Sequence, residues 1–580
     1  MKRRRLYTGL TIVAAGALAL TACGGSSGGG GGTTGGNNQS SSGFGDCDSN
    51  PNTCNSGTTT GTGTFSYAIE KNINDWSLNT ADGNTFETAE VLDGVLPSVF
   101  VPYPDLTGHL NKDLMVSAEQ TKTDPQTIVY KIQPNAKWND GTPIDAKDFE
   151  YNWKTQDPAQ CPKCTPATTS GYDDIQSLTP SDNGKTVTVV FKKPYTDWQA
   201  LFGPLYPAHI AAQHGDINTP DGIASTFNDW FAKNVPTYSG GPYTIQKFEN
   251  NVAVTLVPND KYFGKKAQLS TLIFRIITDA TQEPTALQNN EIQGMYPQPE
   301  VDLVSQVKQI PGVISNIGHG LVWEHFDLNL KNPALQDVTL RQAMFTAVNR
   351  DDIIKKTVGQ FDPTAKPLNS HMFVPGQPGY QDNLPKAQGS GDVTAAKKML
   401  TDAGYTGVGT ALKDKSGKAV GPFRIRYTVG NQVRQNECEL FAASMKQLGI
   451  TVNVQPTDDL GGTLSKGDFD VIVFAWVDTP YPFSGAEQLW ETDAGGNYGH
   501  YSNPQVDQLL KEAASSTDVS KSRDNLNKAD ELMSKDAYVL PLYQKPTYLV
   551  VQKKYVNIRN NNTNVGPPYN AGEWGLAKAS

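Results

Sequence analysis

The stretch that decides the fold is residues 130–149, YKIQPNAKWNDGTPIDAKDF. It begins as an extended strand and turns at Asp140 and Gly141, because Asp can hydrogen-bond its own backbone and Gly tolerates a positive φ. Pro143 then leads into a helix that opens at residues 146–148. A strand, a turn and a helix in such close succession indicate an α/β structure.

Strand-like and helix-like stretches alternate through the rest of the chain, which is typical of α/β lobes. The helix predicted from Val393 shows the reasoning: Asp392 can cap its N-terminus, apolar residues recur at helical spacing, and Gly404 can end it in the left-handed region. Apolar runs rich in β-branched residues predict strands at residues 127–132, 186–191, 252–257, 271–277, 423–429, 450–455 and 470–476.

The N-terminal residues have the features of an export signal. Residues 2–5 are Lys-Arg-Arg-Arg, and residues 10–20 form an apolar run too short for an ordinary membrane span. The sequence LTAC at residues 20–23 resembles the lipobox of bacterial lipoproteins, in which the Cys thiol receives a diacylglyceryl group. We expect a signal peptide over residues 1–22 and lipidation at Cys23. The alternative is an ordinary secretory signal followed by a chance Cys.

Residues 24–64 are nearly all Gly, Ser, Thr and Asn, so they cannot bury a core. We expect a disordered tether with a reach of roughly 30–40 Å. Two acyl chains make a membrane anchor stable where one would not. The expected location is therefore the outer face of the cell membrane, with the folded body held away from the lipid.

The body after the tether, residues 65–580, has 516 residues, more than one core usually covers, so two or more lobes are expected. The formal net charge is −10, and loss of the four n-region cations makes it −14. The chain has no basic patch, which argues against nucleic acid as a partner. We expect a monomer.

Six cysteines are present, and in an exported chain two pairs suggest local disulfides. Cys47 and Cys54 flank a small polar loop, whereas Cys161 and Cys164 form a CxxC. Metal or redox chemistry and free thiols remain the alternatives, although a single CxxC supplies only two of the four ligands of a zinc site. Cys438 is left over within an apolar helix pattern, which predicts a buried thiol.

Along almost its whole body the chain resembles the extracytoplasmic solute-binding proteins of oligopeptide, dipeptide and nickel importers, known as family 5. The resemblance rests on five segments that occur in the family's order over about 400 residues. The first, at residues 130–149, is the most specific. The segments are residues 130–149, 240–243 (GGPY), 286–292 (ALQNNEI), 337–343 (DVTLRQA) and 497–503 (NYGHYSN).

The resemblance implies two α/β lobes joined by two crossover strands that close over a ligand, as in other periplasmic binding proteins. Carried onto this sequence, lobe I takes residues 65–321 and returns at residues 542–580. A subdomain at about residues 96–235 is inserted in it. Lobe II takes residues 322–541. The hinges are expected near residues 322–329 and 541–546.

The resemblance also implies that three segments line the pocket. They supply Asp82, Gly83 and Asn84 after the first strand, Trp323 and Glu324 at the hinge, and Trp476, Asp478 and Tyr481 after a strand of lobe II. The three aromatic residues could stack on ligand groups or could belong to the core.

In peptide-binding members, an Asp three residues after the strand-end Trp meets the peptide's α-amino group. This chain has Thr479 at that position and Asp478 one residue earlier. A one-residue shift in an extended strand turns a side chain to the other face, unless a bulge restores its direction. Asp478 is therefore either the ammonium partner or a solvent-facing turn residue. Arg434, at a helix N-terminus, could bind a carboxylate or could be an exposed first-turn residue.

No catalytic motif is found in a suitable context. A nucleophile-elbow pattern at residues 24–28 lies in the tether, and His209 and His214 miss the spacing of a helical zinc pair. We predict a receptor, not an enzyme, with no cofactor and no metal. It would deliver a peptide to an ABC permease and ATPase complex. The alternatives are another solute (an oligosaccharide, a metal chelate or a glycolipid headgroup) and a cell-envelope signalling lipoprotein.

Overall fold

Two long strands organise the molecule, whose computed structural model describes residues 43–579. In chain order the strands are β1 (Thr64–Ile69), β2 (Phe100–Pro102), β3 (Gly108–Leu110), β4 (Met115–Thr123), β5 (Gln126–Ile132), β6 (Ile175–Ser181), β7 (Thr186–Phe191), β8 (Tyr243–Glu249), β9 (Ala253–Pro258), β10 (Thr271–Ile276), β11 (Gly294–Met295), β12 (Val313–Leu328), β13 (Phe423–Thr428), β14 (Val452–Thr457), β15 (Val471–Val477), β16 (Val539–Gln552), β17 (Tyr555–Val556) and β18 (Gly575–Leu576).

The α-helices pack on both faces of the sheets that these strands form. In chain order they are α1 (Phe86–Leu92), α2 (Ala146–Gln156), α3 (Ala208–His214), α4 (Pro220–Ala224), α5 (Glu283–Gln288), α6 (Val301–Val307), α7 (Val338–Ala347), α8 (Arg350–Lys356), α9 (Val393–Asp402), α10 (Gln432–Leu448), α11 (Leu460–Ser465), α12 (Pro482–Trp490), α13 (Pro504–Ala514) and α14 (Val519–Asp536).

A ten-stranded sheet runs through the molecule in the order β14-β13-β15-β12-β16-β11-β1-β10-β9-β8. The long strands β12 and β16 lie at its centre and are antiparallel. We call the side that holds β1 and β8 to β11 lobe I, and the side that holds β13 to β15 lobe II. The predicted α/β class and the two-lobed architecture with two crossover strands are confirmed.

The pairing of β12 with β16 shifts register twice, and the larger break separates His319 from Trp323. His319 pairs with Pro546, and the next registered pair is Trp323 with Gln544. Before the break β12 belongs to lobe I, and after it β12 pairs with β15 of lobe II. This break contains Gly320 and adjoins the start of the predicted hinge range of 322–329, which stays a prediction.

A second sheet, in the order β4-β5-β7-β6, forms a subdomain with α2 to α4. The deciding stretch at residues 130–149 lies here as predicted. Asp145 caps α2, and the side chain of Asp148 closes a capping box with it. The β2–β3 hairpin precedes this sheet and reaches toward lobe II through Leu106, whose side chain is packed with Trp323 and Phe483.

Several local predictions agree with the structure. The helix predicted from Val393 is α9, Asp392 accepts a hydrogen bond from the backbone N–H of Ala395, and Gly404 has φ of 87°. Cys438 is a buried thiol, and the structure contains the disulfides Cys47–Cys54 and Cys161–Cys164. In the described part of the chain, no helix is both long enough and apolar enough to cross a bilayer.

The prediction that the disordered tether extends to residue 64 is wrong at its C-terminal end. Residues 43–63 fold onto lobe I, where Asn55 donates a hydrogen bond to the carbonyl of Ile558 at 2.8 Å. Arg559 donates to the carbonyl of Cys54 at 3.1 Å. Composition alone missed this because the order comes from long-range contacts and a disulfide. The predicted signal peptide and Cys23 lie outside the described residues.

Candidate functional site

The predicted ligand residues of lobe II lie where β12 and β15 run side by side toward the hinge. Trp323 pairs with Trp476, and Glu324 pairs with Ala475. Because side chains alternate along a strand, Trp323 and Glu324 project from opposite faces of the sheet. We call these the tryptophan face and the glutamate face of β12.

On the tryptophan face, the indole Nε1 of Trp323 donates a hydrogen bond to Oδ2 of Asp478 at 3.0 Å. No cationic side chain among residues 43–579 lies within ion-pair distance of this carboxyl group. Burial raises the pKa of Asp478 to about 7, and the hydrogen bond from Trp323 offsets only part of that shift. The arrangement leaves a carboxyl group that a cation could stabilise.

Several further polar atoms of this face are buried without a hydrogen-bond partner in the described chain, among them Nε1 of Trp476, Oη of Tyr481 and Nε2 of His325. The ring of Trp476 stacks between His325 and Tyr498, at centroid distances of 6.0 and 5.9 Å. Buried polar groups are normally paired, so each unpaired one calls for an explanation. A polar ligand beside Asp478 would supply partners for the indole of Trp476 and the hydroxyl of Tyr481.

The β2–β3 hairpin closes over this face from the other lobe. A Cβ placed on Gly108 would lie 1.7 Å from Oη of Tyr481, so only glycine fits beneath the phenol. Nearby, Asp197 accepts hydrogen bonds from the backbone N–H and the hydroxyl of Ser484, at 2.7 and 2.8 Å. Burial raises the pKa of Asp197 to about 6, although these hydrogen bonds oppose the shift. The structure is therefore closed on this side of the hinge.

The glutamate face holds an ion pair and a hydrogen-bonded acid, Glu437, whose second carboxyl oxygen is buried without a partner in the described chain. Arg434 binds Glu324 at 2.5 Å, Lys545 lies 3.7 Å from its other oxygen, and Tyr543 donates a hydrogen bond to Glu437. Burial works to raise the pKa of Glu324, but the charges of Arg434 and Lys545 outweigh it and hold the pKa below its usual value. Burial and the charge of Glu324 raise the pKa of Glu437 to about 8.

This paired cluster borders a small cavity of about 30 Å³ between the lobes. Gln298 and Glu300 line it from the lobe I side, and Asn431 lines it from lobe II. Space of this size holds water rather than an organic ligand. Arg434 is buried, so the alternative of an exposed first-turn residue is wrong. The carboxylate that it meets in the structure belongs to Glu324.

The lobe I residues of the prediction lie in a turn before α1. Asp82 and Asn84 are exposed, whereas Gly83 is buried, and a Cβ on it would lie 2.2 Å from the carbonyl oxygen of Ser77. No hydrogen bond joins the side chains of Asp82 or Asn84 to lobe II among the residues described. The structure thus brings Trp323, Trp476, Asp478 and Tyr481 together, pairs Glu324 with Arg434, and leaves residues 82–84 apart.

Sequence reasoning missed the residues that complete both faces. Lys545 and Glu437 join Glu324 only because β12, β16 and α10 meet in three dimensions. His325 is fully buried against Trp323 and pairs with Asp327 at 2.7 Å. One signal was available, since Glu324, His325 and Asp327 are polar residues in the buried half of β12.

Comparison with known proteins agrees with this geometry. Residues 109–500 match the model of the bacterial extracellular solute-binding proteins, family 5. The match covers more than half of the chain, and the chain belongs to this family.

Individual relatives extend the likeness to most of the length. The chain is 29% identical to the oligopeptide-binding protein OppA of Mycobacterium tuberculosis, over 82% of this chain and 79% of that protein. It is similar to the solved structure of a periplasmic EDTA-binding protein, EppA, with a TM-score of 0.85 and 36% identity, over 91% of this chain and 99% of the other. It is also similar to the structure of AppA of Bacillus subtilis in complex with a nonapeptide. That likeness has a TM-score of 0.70 and 20% identity, and it covers 90% of this chain and 100% of the other.

Proposed function

We propose that this protein captures peptides in the cleft between its lobes and delivers them to the permease and ATPase of an ABC importer. The observation that carries the proposal is the carboxyl group of Asp478. It is part-buried, receives one hydrogen bond from Trp323, and has no cation beside it in the described structure. The α-ammonium group of a peptide would supply the missing charge.

The edge of β15 supports an extended ligand. On one side, β15 pairs with β12 from Val471 to Val477. On its other side, β15 pairs with β13 only at Val471 and Ile472. Backbone N–H and C=O groups beyond Ile472 therefore lack a neighbouring strand on that side among residues 43–579. A peptide could add there as a further strand, with its N-terminus beside Asp478. The named relatives OppA and AppA are consistent with this ligand class.

The test compares ligands that differ only at the amino terminus. Calorimetry would measure the binding of trialanine and of N-acetyl-trialanine to the purified protein. We expect trialanine to bind at least tenfold more tightly, because only its free ammonium can pair with Asp478. Equal affinities would contradict the ammonium role, and binding of neither, together with no peptide masses in native mass spectrometry, would contradict peptide capture.

A metal chelate is the second candidate, because the likeness to the EDTA-binding protein is strong at 36% identity. A polyanionic chelate needs cations, yet on the glutamate face Arg434 and Lys545 already face Glu324. Asp478 on the other face would repel it. We therefore favour the peptide. Tight binding of Fe(III)-EDTA, with no response to trialanine, would reverse this preference.

We further propose that Cys23 anchors the protein to the outer face of the membrane. The support is the LTAC sequence at residues 20–23. In the producing cell, Cys23→Ser should move the protein from the membrane fraction to the medium or the periplasm, with peptide binding unchanged. A variant that stayed in the membrane fraction would contradict lipid anchoring. Deleting the partner permease should abolish peptide uptake and leave binding intact.

A further inference from the structure

Lobe I contains a cavity of its own, away from the cleft. Its volume is about 460 Å³, which is within the usual range for small-molecule sites. The walls come from the β2–β3 hairpin, from the residues around Gly240, and from residues 565–573 near the C-terminus. None of the lining residues belongs to β13, β14, β15 or the helices of lobe II. We call it the lobe I cavity.

Three acidic residues line this cavity, and the carboxylates of two of them already have partners. Asp113 accepts a hydrogen bond from the hydroxyl of Tyr262 at 2.9 Å and one from the backbone N–H of Lys265 at 3.2 Å. Glu573 pairs with Arg559 at 2.9 Å. The third carboxylate is Asp93, which forms no ion pair or side-chain hydrogen bond with any residue between 43 and 579.

The position of Asp93 makes its isolation costly. It is the C-cap of α1, where the helix dipole is negative and disfavours another negative charge. Its Oδ2 atom is buried without a partner. Burial raises the pKa of Asp93 well above its usual value. A hydrogen-bond donor with a positive charge would relieve all three penalties at once.

Two amines of the lining are also unpaired. Lys112 and Lys265 are exposed, and neither ammonium has a carboxylate within 4 Å in the described structure. The lining also includes apolar and aromatic side chains, among them Phe100, Tyr103 and Leu110. The charged groups of the lining without a partner in the described chain are thus one part-buried acid and two exposed amines, beside apolar side chains and the unpaired hydroxyl of Tyr569. This pattern matches a zwitterion that carries an apolar side chain.

We propose that the lobe I cavity binds a free α-amino acid with an apolar side chain, whose ammonium pairs with Asp93 and whose carboxylate faces Lys112 and Lys265. The site is separate from the cleft and does not depend on the peptide proposal. The β2–β3 hairpin forms one wall of the cavity, and its tip contacts lobe II through Leu106 and Gly108. An occupant would therefore lie directly behind the segment that closes over the cleft.

The test uses L-phenylalanine and saturation-transfer NMR on the purified protein. We expect transfer to the phenyl ring with a saturable concentration dependence. N-acetyl-phenylalanine lacks the ammonium and phenethylamine lacks the carboxylate, so each should bind at least tenfold more weakly. Absence of transfer from phenylalanine and from leucine would overturn the proposal.

Variants assign the signal to this cavity. Asp93→Asn should weaken phenylalanine binding at least tenfold, and Lys112→Met combined with Lys265→Met should weaken it severalfold. The lysine pair is exposed, so its loss keeps the test valid if Asp93→Asn fails to fold. Asp478→Asn and excess trialanine should leave the signal unchanged. Displacement by trialanine, or loss of the signal in Asp478→Asn alone, would place phenylalanine in the cleft and overturn the second site.

Discussion

Trp323 and Glu324 are neighbours in one strand, yet the two faces on which they lie differ in how their charges are balanced. On the glutamate face, Glu324 has both Arg434 and Lys545 as partners. On the tryptophan face, Asp478 has a single neutral donor, and other buried polar atoms, such as Nε1 of Trp476, have no partner in the described chain. Burial alone therefore does not distinguish a structural charge from a ligand-binding one. We take the absence of an internal counter-charge as the mark of the proposed ligand-binding group.

The comparison predicts that the glutamate face contributes stability and not affinity. Arg434→Met would leave Glu324 buried with only the distant Lys545, and breaking a buried pair costs about 3–5 kcal/mol. We expect chemical denaturation to show a loss of that size in the free energy of unfolding. Because Arg434 is paired with Glu324 on the face opposite Asp478, the folded fraction should bind trialanine with an affinity within about threefold of that of the wild type.

Restoring charge balance provides the control for this variant. Glu324→Gln combined with Arg434→Met removes both charges of the pair, so it should recover part of the lost stability. A double variant that was less stable than Arg434→Met by the full cost of Glu324→Gln alone would show that the two residues do not interact. Loss of trialanine binding in a stably folded single variant would move Arg434 into the ligand site.

The tryptophan face should behave in the opposite way. Asp478→Asn removes the charge that would meet the ammonium, and truncating one partner of a buried charge pair costs about 2–4 kcal/mol of binding. Calorimetry should show trialanine binding weakened by roughly 30-fold or more. Stability above pH 7 should be unchanged or increased, because the unfavourable buried charge is gone. Asp458→Asn, at an exposed aspartate, is the matched control and should bind normally.

A third experiment uses pH, because the pKa of Asp478 is raised to about 7 by burial. The carboxylate must be ionised to bind an ammonium, so trialanine affinity should fall as pH drops below about 7, by up to tenfold per unit. The folded protein binds this proton more tightly than the unfolded chain does. The contribution of Asp478 to stability is therefore greatest at low pH and is lost as pH rises from about 4 to 7. Both dependences should be absent in Asp478→Asn.

The smallest effect is expected at the unpaired indole of Trp476. Trp476→Phe keeps an aromatic ring against His325 and Tyr498 but removes Nε1. If this donor meets a ligand carbonyl, trialanine affinity should fall by about 1 kcal/mol, or roughly fivefold. Trp490→Phe is the matched control, since Trp490 is buried in the core of lobe II. A larger loss of affinity at Trp490 than at Trp476 would contradict the assignment.

The sequence was a good guide to local structure and to the order of elements. Asp392 and Gly404 mark the ends of α9 as predicted, because caps depend on nearby backbone. Trp323, Trp476 and Asp478 come together because a strand register follows from its apolar pattern. Pairing across distant segments was not predictable in this way. Arg434 and Glu324 are separated by 110 residues, and no local pattern states that they form an ion pair.

The position of β16 in the central sheet has a consequence for the order in which the chain can fold. Its first residues complete lobe II beside β12, and its last residues, from Pro546, lie between β12 and β11. The strands β1 and β8 to β11 are made early, but they join the hinge only through a strand that is made near the end. As the chain is made from its N-terminus, lobe II can thus gather its strands within one continuous segment, while the sheet of lobe I is completed only by the last residues.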